Sequence, residues 1–267
     1  MTEKRKCSCS CNCNAKNNKS SSTYTENIKN VYDKVADYNC NFGGKTCGCR
    51  AKVSQEIGYT KKELEELADA NLGLGCGNPI ELGEIKPGQI VLDLGSGAGL
   101  DCFLAAEKIG ETGKVIGVDI THSMIEKANK NKEKYGYGNV EFRLGNIESL
   151  PVENNAVDII ISNCVLSLAK NKETAFKEAY RVLKPGGVMY VSDIVLLRPL
   201  SAQQRTDTKM IGTCVLGALL KEDYIEKIIN TGFEISIIDE DFEVNKKKFN
   251  DSSLPVSSLK YIATKPN

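Results

Sequence analysis

Gln89-Ile-Val-Leu-Asp-Leu-Gly-Ser-Gly-Ala-Gly99 is the stretch that decides the fold. Gln89–Leu94 is short and largely apolar, which reads as a buried strand. Three glycines in the next five positions interrupt any regular element and let the chain turn sharply. Leu100–Ile109 then resumes as a helix. A strand, a glycine loop and a helix opening on that loop leave bare backbone N–H groups at the helix start. Such groups favour an anionic or polar part of a ligand.

The rhythm continues outward in both directions. Lys114–Ile120 reads as a strand, Ser123–Tyr135 as a helix, and Val140–Leu144 and Val157–Ser162 as strands. The last of these is almost wholly apolar, as a central parallel strand should be. Thr174–Leu183 reads as a helix stopped by Pro185-Gly186-Gly187, and Val188–Val195 as a fifth strand. Strand and helix in alternation predict an α/β fold with a parallel sheet and crossover helices. Further on come a helix near Lys221–Thr231 and strands near Glu234–Asp239 and Leu259–Thr264. Upstream, Ile28, Val31, Tyr32 and Val35 share a helical face. Cys40 to Arg50 reads as a loop, and Thr60-Lys-Lys-Glu63 is a capping box opening a helix from Lys61 to about Ala70. The expected division is a disordered Cys-rich tail over 1–24 and a cap of helices and Cys loops over 25–84. A nucleotide-binding core over 85–197 and a smaller substrate-side portion over 198–267 complete it.

Composition narrows the function. Lys and Arg number 35, as do Asp and Glu, so the chain of 267 residues is formally neutral. It lacks the bulk positive charge that a nucleic acid would reward. No apolar run reaches the roughly 20 residues of a membrane span. MTEKRKCSCSCNCN at the start has no apolar h-region behind it, so it is not a secretory signal. Eleven cysteines, an odd number, go with a single histidine, His122, and no tryptophan. In a reducing, cytoplasmic setting such thiols bind soft centres or do chemistry more often than they build a disulfide framework.

The glycine spacing is G-x-G-x-G, Gly95, Gly97 and Gly99, with Leu100 where a dinucleotide binder carries its last glycine. That disfavours a nicotinamide-dependent oxidoreductase. Asp93 lies two residues before the first glycine, and Asp119 ends the next strand, where a carboxylate accepts hydrogen bonds from ribose hydroxyls. The string resembles motif I of class I S-adenosylmethionine-dependent methyltransferases. Gly145-Asn-Ile-Glu-Ser-Leu-Pro151 is similar to their adenine-side loop, and Arg181-Val-Leu-Lys-Pro-Gly-Gly187 to their post-motif turn. The resemblance implies a Rossmann-like core and S-adenosylmethionine as cofactor. It implies cofactor contacts at Asp93, Gly95, Ser96, Gly97, Gly99, Asp101, Asp119, Ile120, Asn146, Ile147, Glu148 and Asn163.

Three cysteines sit at informative places. Cys164 ends the fourth strand, in Ile161-Ser-Asn-Cys-Val-Leu-Ser-Leu168, on the edge where open α/β sheets bind ligands. Cys76, in Asn71–Pro79, and Cys214, in Gly212–Ala218, come from segments free to fold over that edge. Each alone reads better as a small buried hydrophobe, and Cys102 is left in that role. The three segments together resemble those of arsenite S-adenosylmethionine methyltransferases, over about Ile57 to Gly232. Gly117-Val-Asp-Ile-Thr121 resembles that family's G-[VI]-D-M-T, with Ile120 for Met. Ser167 stands for the family's Asn after its cysteine.

The resemblance implies that Cys76, Cys164 and Cys214 bind As(III). Cys76 would join for the trivalent substrate and form a disulfide as methylated arsenic is reduced. Cys47 or Cys49 would fill the place of a fourth, upstream cysteine. As(III) is thiophilic, in line with the softness rule for metals. Its lone pair is the nucleophile, so no general base is needed and proximity carries the reaction. A thiol reductant, glutathione or a thioredoxin, is implied as co-reactant, with a small-molecule substrate and nothing demanding more than a monomer. A generic small-molecule C/O-methyltransferase with incidental cysteines is the alternative. It needs a base, for which Asp193, Tyr190 and His122 are the candidates. A thiol-rich metalloid-binding protein on the same scaffold is a third reading. The CSCSCNCN run is either an idle disordered tail or a soft-metal capture arm, and Lys246-Lys-Lys248 reads as solvated surface.

Overall fold

The computed structural model describes residues 23–37, 48–207 and 210–267, without the side chains of 37, 48 and 49. Nearly all of the Cys-rich tail over 1–24, and Cys47, lie outside the described residues.

Seven strands form one sheet. They are β1 (Ile90–Leu94), β2 (Lys114–Asp119), β3 (Val140–Leu144), β4 (Val157–Asn163), β5 (Leu183–Leu196), β6 (Glu234–Asp241) and β7 (Val256–Thr264). Their order is β3-β2-β1-β4-β5-β7-β6. β1 to β5 run parallel, while β7 pairs antiparallel with both β5 and β6. Leu92 of β1 stands between Ile116 of β2 and Ile160 of β4 and is fully buried. This is the Rossmann-like arrangement expected, with the sheet continued by the two C-terminal strands.

Helices flank the sheet: α1 (Tyr24–Asp37), α2 (Gly48–Glu56), α3 (Lys61–Glu66), α4 (Leu100–Ile109), α5 (His122–Tyr135) and α6 (Lys172–Val182). After the fifth strand come α7 (Ala202–Thr206), α8 (Cys214–Gly217), α9 (Lys221–Asn230) and α10 (Val244–Lys247). Two apolar clusters fill the faces. One holds Phe176, Val182, Tyr224 and Tyr261; the other holds Phe103, Ile109, Val91 and Ile161. Among the described residues no helix is long and apolar enough to cross a membrane.

Several local expectations change. The capping box at Thr60 and Glu63 forms, but α3 ends at Glu66 because the chain turns at Leu67. Pro185-Gly186-Gly187 does not separate helix from strand; it lies inside β5, which begins at Leu183. Residues 48–50, read as loop, open α2, a helix with little apolar periodicity. It is held by tertiary bonds such as Ser54 Oγ to Asn71 Oδ1 at 2.8 Å.

Candidate active site

A cleft opens at the carboxyl ends of β1, β2 and β4. Gly95, Gly97, Asp119, Ile120, Asn146, Ile147, Glu148, Asn163 and Cys164 all line it. Asp93, Ser96 and Asp101 line a smaller adjoining pocket, and Gly99 serves as the N-cap of α4. α1 roofs the cleft with Thr25, Ile28 and Tyr32. Asp33 of α1 accepts from Ser123 Oγ at 2.6 Å, which ties the roof to α5.

Asp119 ends β2 with one carboxylate oxygen on the Gly97 N–H at 3.0 Å and the other on the Thr121 N–H at 2.9 Å. Burial pushes its pKa up, and the backbone donors oppose that. Asp93 is buried behind the glycine loop and accepts from the Cys102 thiol at 3.2 Å. Burial and then the neighbouring Asp101 hold it well above the usual carboxylate range. Cys102 is fully buried and has the packing role expected of it. Burial lifts Asp101 to about 6, against hydrogen bonds from Tyr59 and Asn163.

Asn163 is the junction between the cofactor side and the sulfur side. Its Nδ2 donates to the Tyr59 hydroxyl and the Gly77 carbonyl, both at 2.8 Å, and to Asp101 at 3.2 Å. Its Oδ1 accepts the Cys76 N–H at 2.9 Å. Tyr59 in turn donates to Asp101 at 2.5 Å.

Cys76, Cys164 and Cys214 converge in one apolar cluster with Ile194, Val215 and Val244, and all three are buried. Cys164 sits in the left-handed region at φ +63°, just past β4, with its N–H on the Ser192 carbonyl at 2.7 Å. α8 begins at Cys214 itself and can lie against the turn after Cys164 only because Gly217 has no side chain. A Cβ there would stand 2.1 Å from the Ser167 carbonyl oxygen. Hydrogen bonds from Cys214 and Cys76 hold the Cys164 thiol well below its ordinary pKa, with the Lys248 ammonium adding to them against burial. The partners move the other way: Cys214 is pushed up by its bond to Cys164 and by burial, and Cys76 by burial and then by Cys164. The backbone of Cys49 lies on α2, while its side chain and the whole of Cys47 lie outside the described residues.

Two residues that the sequence reading left aside stand in the site. Lys248, read as solvated surface, donates to Cys164 Sγ at 3.2 Å. Tyr59 joins the Asp101–Asn163 network. No local motif marks either; only the long-range packing does. The candidate bases are poorly placed. Tyr190 donates to the Glu84 carbonyl at 3.0 Å, and His122 is exposed beside Glu126 at 3.2 Å. Asp193 is fully buried on three donors: the Ser167 and Ile194 N–H groups and the Tyr224 hydroxyl.

Residues 85–248 match the methyltransferase domain family. An arsenite methyltransferase of Halobacterium salinarum is 47% identical over 185 residues, covering 69% of this chain and 47% of that protein. Another, from Aquipseudomonas alcaligenes, is 34% identical over 78% of this chain and 61% of its own length. The chain thus spans about half the length of these curated relatives. The crystal structure of an arsenic(III) S-adenosylmethionine methyltransferase from Chlamydomonas reinhardtii superposes with a TM-score of 0.62 at 32% identity, covering 83% of this chain and 75% of that one. With a domain match across the cleft and a relative of that identity aligned over three quarters of its length, the chain belongs to the arsenite S-adenosylmethionine methyltransferase family of class I methyltransferases.

Proposed function

We propose that this protein transfers methyl groups from S-adenosylmethionine to trivalent arsenic held by the thiolates of Cys76, Cys164 and Cys214. The observation that carries the reading is that Cys164 belongs to two sets of residues at once. It lines the cleft that holds Asp119 and the glycine loop, and it packs in one buried cluster with the other two thiols.

The residues present fit the cofactor. Asp119 has lone pairs left for two hydroxyl donors beyond its backbone partners. Ile120 and Ile147 give apolar walls for a planar base, and the side of Gly97 where a Cβ would stand is clear of atoms of the described residues. When bound, S-adenosylmethionine supplies an electrophilic methyl on a sulfonium. The protein's part is orientation: Asp119 and the 146–148 loop fix the nucleoside, and Asn163 ties that side to Cys76. The buried thiols exclude water from the arsenic. No side chain has to take a proton from arsenic, which fits the poor placement of Asp193, Tyr190 and His122.

Among the described residues no three His, Cys, Asp or Glu side chains are gathered closely enough to hold a metal ion. Arsenic entry therefore has to draw Cys76 and Cys214 in around Cys164. Glutathione or a thioredoxin would return the arsenic and the thiols to the reduced state, and Cys47 or Cys49 would serve there as the further thiol. Detoxification of arsenite is the corresponding role.

Chromatographic speciation of arsenic tests the reading. Purified protein is incubated with arsenite, S-adenosylmethionine and glutathione. Methylated arsenic that needs all three is the expected result. Its absence, with S-adenosylmethionine still bound in a titration, would return the cysteines to a packing role and reopen the search for a carbon or oxygen acceptor.

A further inference from the structure

Two of the three lysines in Lys246-Lys-Lys248 behave as surface charges. Lys246 pairs with Glu243 at 2.6 Å and Lys247 with Asp241 at 2.8 Å. Lys248 turns inward. It follows α10, whose Val244 is fully buried in the same apolar cluster as the three thiols. From there its ammonium donates to Cys164 Sγ at 3.2 Å and to the Leu74 carbonyl.

Leu74 lies two residues before Cys76. One side chain thus joins the end of β4 to the loop that carries the second thiol, and methyl transfer makes no use of it. An ammonium in an apolar cluster must keep its partners, because losing one leaves a buried donor unmade. The contact therefore ties two thiol-bearing segments together.

We infer that Lys248 is a positioning residue that holds the Cys76 loop against Cys164 and so lets the site close three thiols, and not two, around a trivalent arsenical. The inference rests on the thiolate reading of the site. Arsenite, As(OH)3, exchanges three hydroxyls for three thiols: three As–O and three S–H bonds break, three As–S and three O–H bonds form, and three waters leave with no change of oxidation state. An arsenical already carrying one carbon exchanges only two hydroxyls. A sulfur bonded to arsenic keeps lone pairs, so Cys164 can accept from Lys248 throughout. Loosening the Cys76 loop removes the third bond and spares the other two, so the defect should be selective.

The test compares arsenite with phenylarsine oxide, a two-thiol probe, on the reduced full chain. Binding is read by equilibrium dialysis with arsenic counted by mass spectrometry. Lys248→Met keeps the chain length and removes the donor. Arsenite should bind about tenfold more weakly, the loss expected for one charge-assisted hydrogen bond. Phenylarsine oxide should lose much less than arsenite does, and S-adenosylmethionine should bind as in wild type. Lys248→Arg, which keeps charge and donors, should restore the ratio. Lys248→Gln carries the same expectation as Met and decides the matter where the Met variant is unstable. Parallel weakening of both arsenicals, or no change in arsenite binding, overturns the inference and leaves the thiolate reading intact. Wild-type protein that binds neither probe overturns the thiolate reading, and this inference with it.

Discussion

Cys164 is held in a backbone conformation that a side chain disfavours by roughly 1–2 kcal/mol. A kink of this sort, kept at the end of a central, largely buried strand, turns its sulfur out of the sheet and into the cleft. Cys164→Ser should therefore abolish methylation of every trivalent arsenical while S-adenosylmethionine still binds. Cys76→Ser should harm arsenite more than methylarsenite, because the latter carries carbon in place of one thiolate. Comparing turnover on the two substrates checks both, and full activity in either variant counts against the thiolate site. Asp119→Ala removes the acceptor for ribose hydroxyls and should weaken S-adenosylmethionine at least about tenfold, given roughly 1.5–3 kcal/mol for a hydrogen bond to a charged group. Calorimetric titration would read it. These residues were legible because each sits in a short string with its own signature: Asp119 at a strand end, Asn146–Glu148 in a loop, Cys164 three residues past the Ile159-Ile-Ile161 run. Lys248 and Tyr59 were not, since their meaning comes from partners as far as 174 and 104 residues away.

The glycine loop shows at the scale of an element how one turn serves two masters. Gly95 and Gly97 both have positive φ, but they face different things. A Cβ on Gly95 would stand 2.4 Å from a Val165 methyl, inside the packing that sets the turn bearing Cys164. A Cβ on Gly97 would meet no atom of the described residues within 4 Å and would project where ligand is expected. Gly95→Ala should lower Tm by several degrees, at about 2–4 °C for each kcal/mol in a chain of this size. Gly97→Ala should cost about 1 kcal/mol of stability, yet weaken S-adenosylmethionine about tenfold or more. Thermal melts beside cofactor titration separate the two, and a Gly97 variant that binds normally would mean that the nucleoside lies elsewhere. The strands and long helices were readable because apolar periodicity is repeated over many residues. The short helices α7, α8 and α10 were not. Four or five residues carry too little periodicity, and these are fixed by tertiary contacts such as the approach of Gly217 to Ser167.

For the molecule as a whole, the floor beneath the thiols is a polar knot that gathers distant parts of the chain. Asp193 of β5 accepts from the Ser167 N–H at 2.7 Å and from the Tyr224 hydroxyl of α9 at 2.9 Å. Tyr224 in turn meets the Tyr261 hydroxyl of β7 at 3.1 Å. Burial, and after it the charge of Cys164, lifts Asp193 to about 7. The folded state thus holds this proton more tightly than the unfolded chain, whose carboxyl titrates near roughly 4. Below that pH both states are protonated and the contribution to stability is complete. It is lost progressively as pH rises through about 7, on the order of 1 kcal/mol for each unit. Asp101, lifted to about 6 by burial, acts in the same direction. Asp193→Asn cannot ionise, at the cost of about one backbone hydrogen bond. Urea midpoints measured under reducing conditions from pH 4.5 to 7.5 should fall with pH in wild type and clearly less steeply in the variant. The residual slope belongs to Asp101 and its neighbours and, in the opposite direction, to Cys164, whose lowered pKa adds stability as pH rises. Equal slopes would mean that the knot beneath the thiols is already ionised at the acid end of the range, and that the sheet carries the charge there without loss.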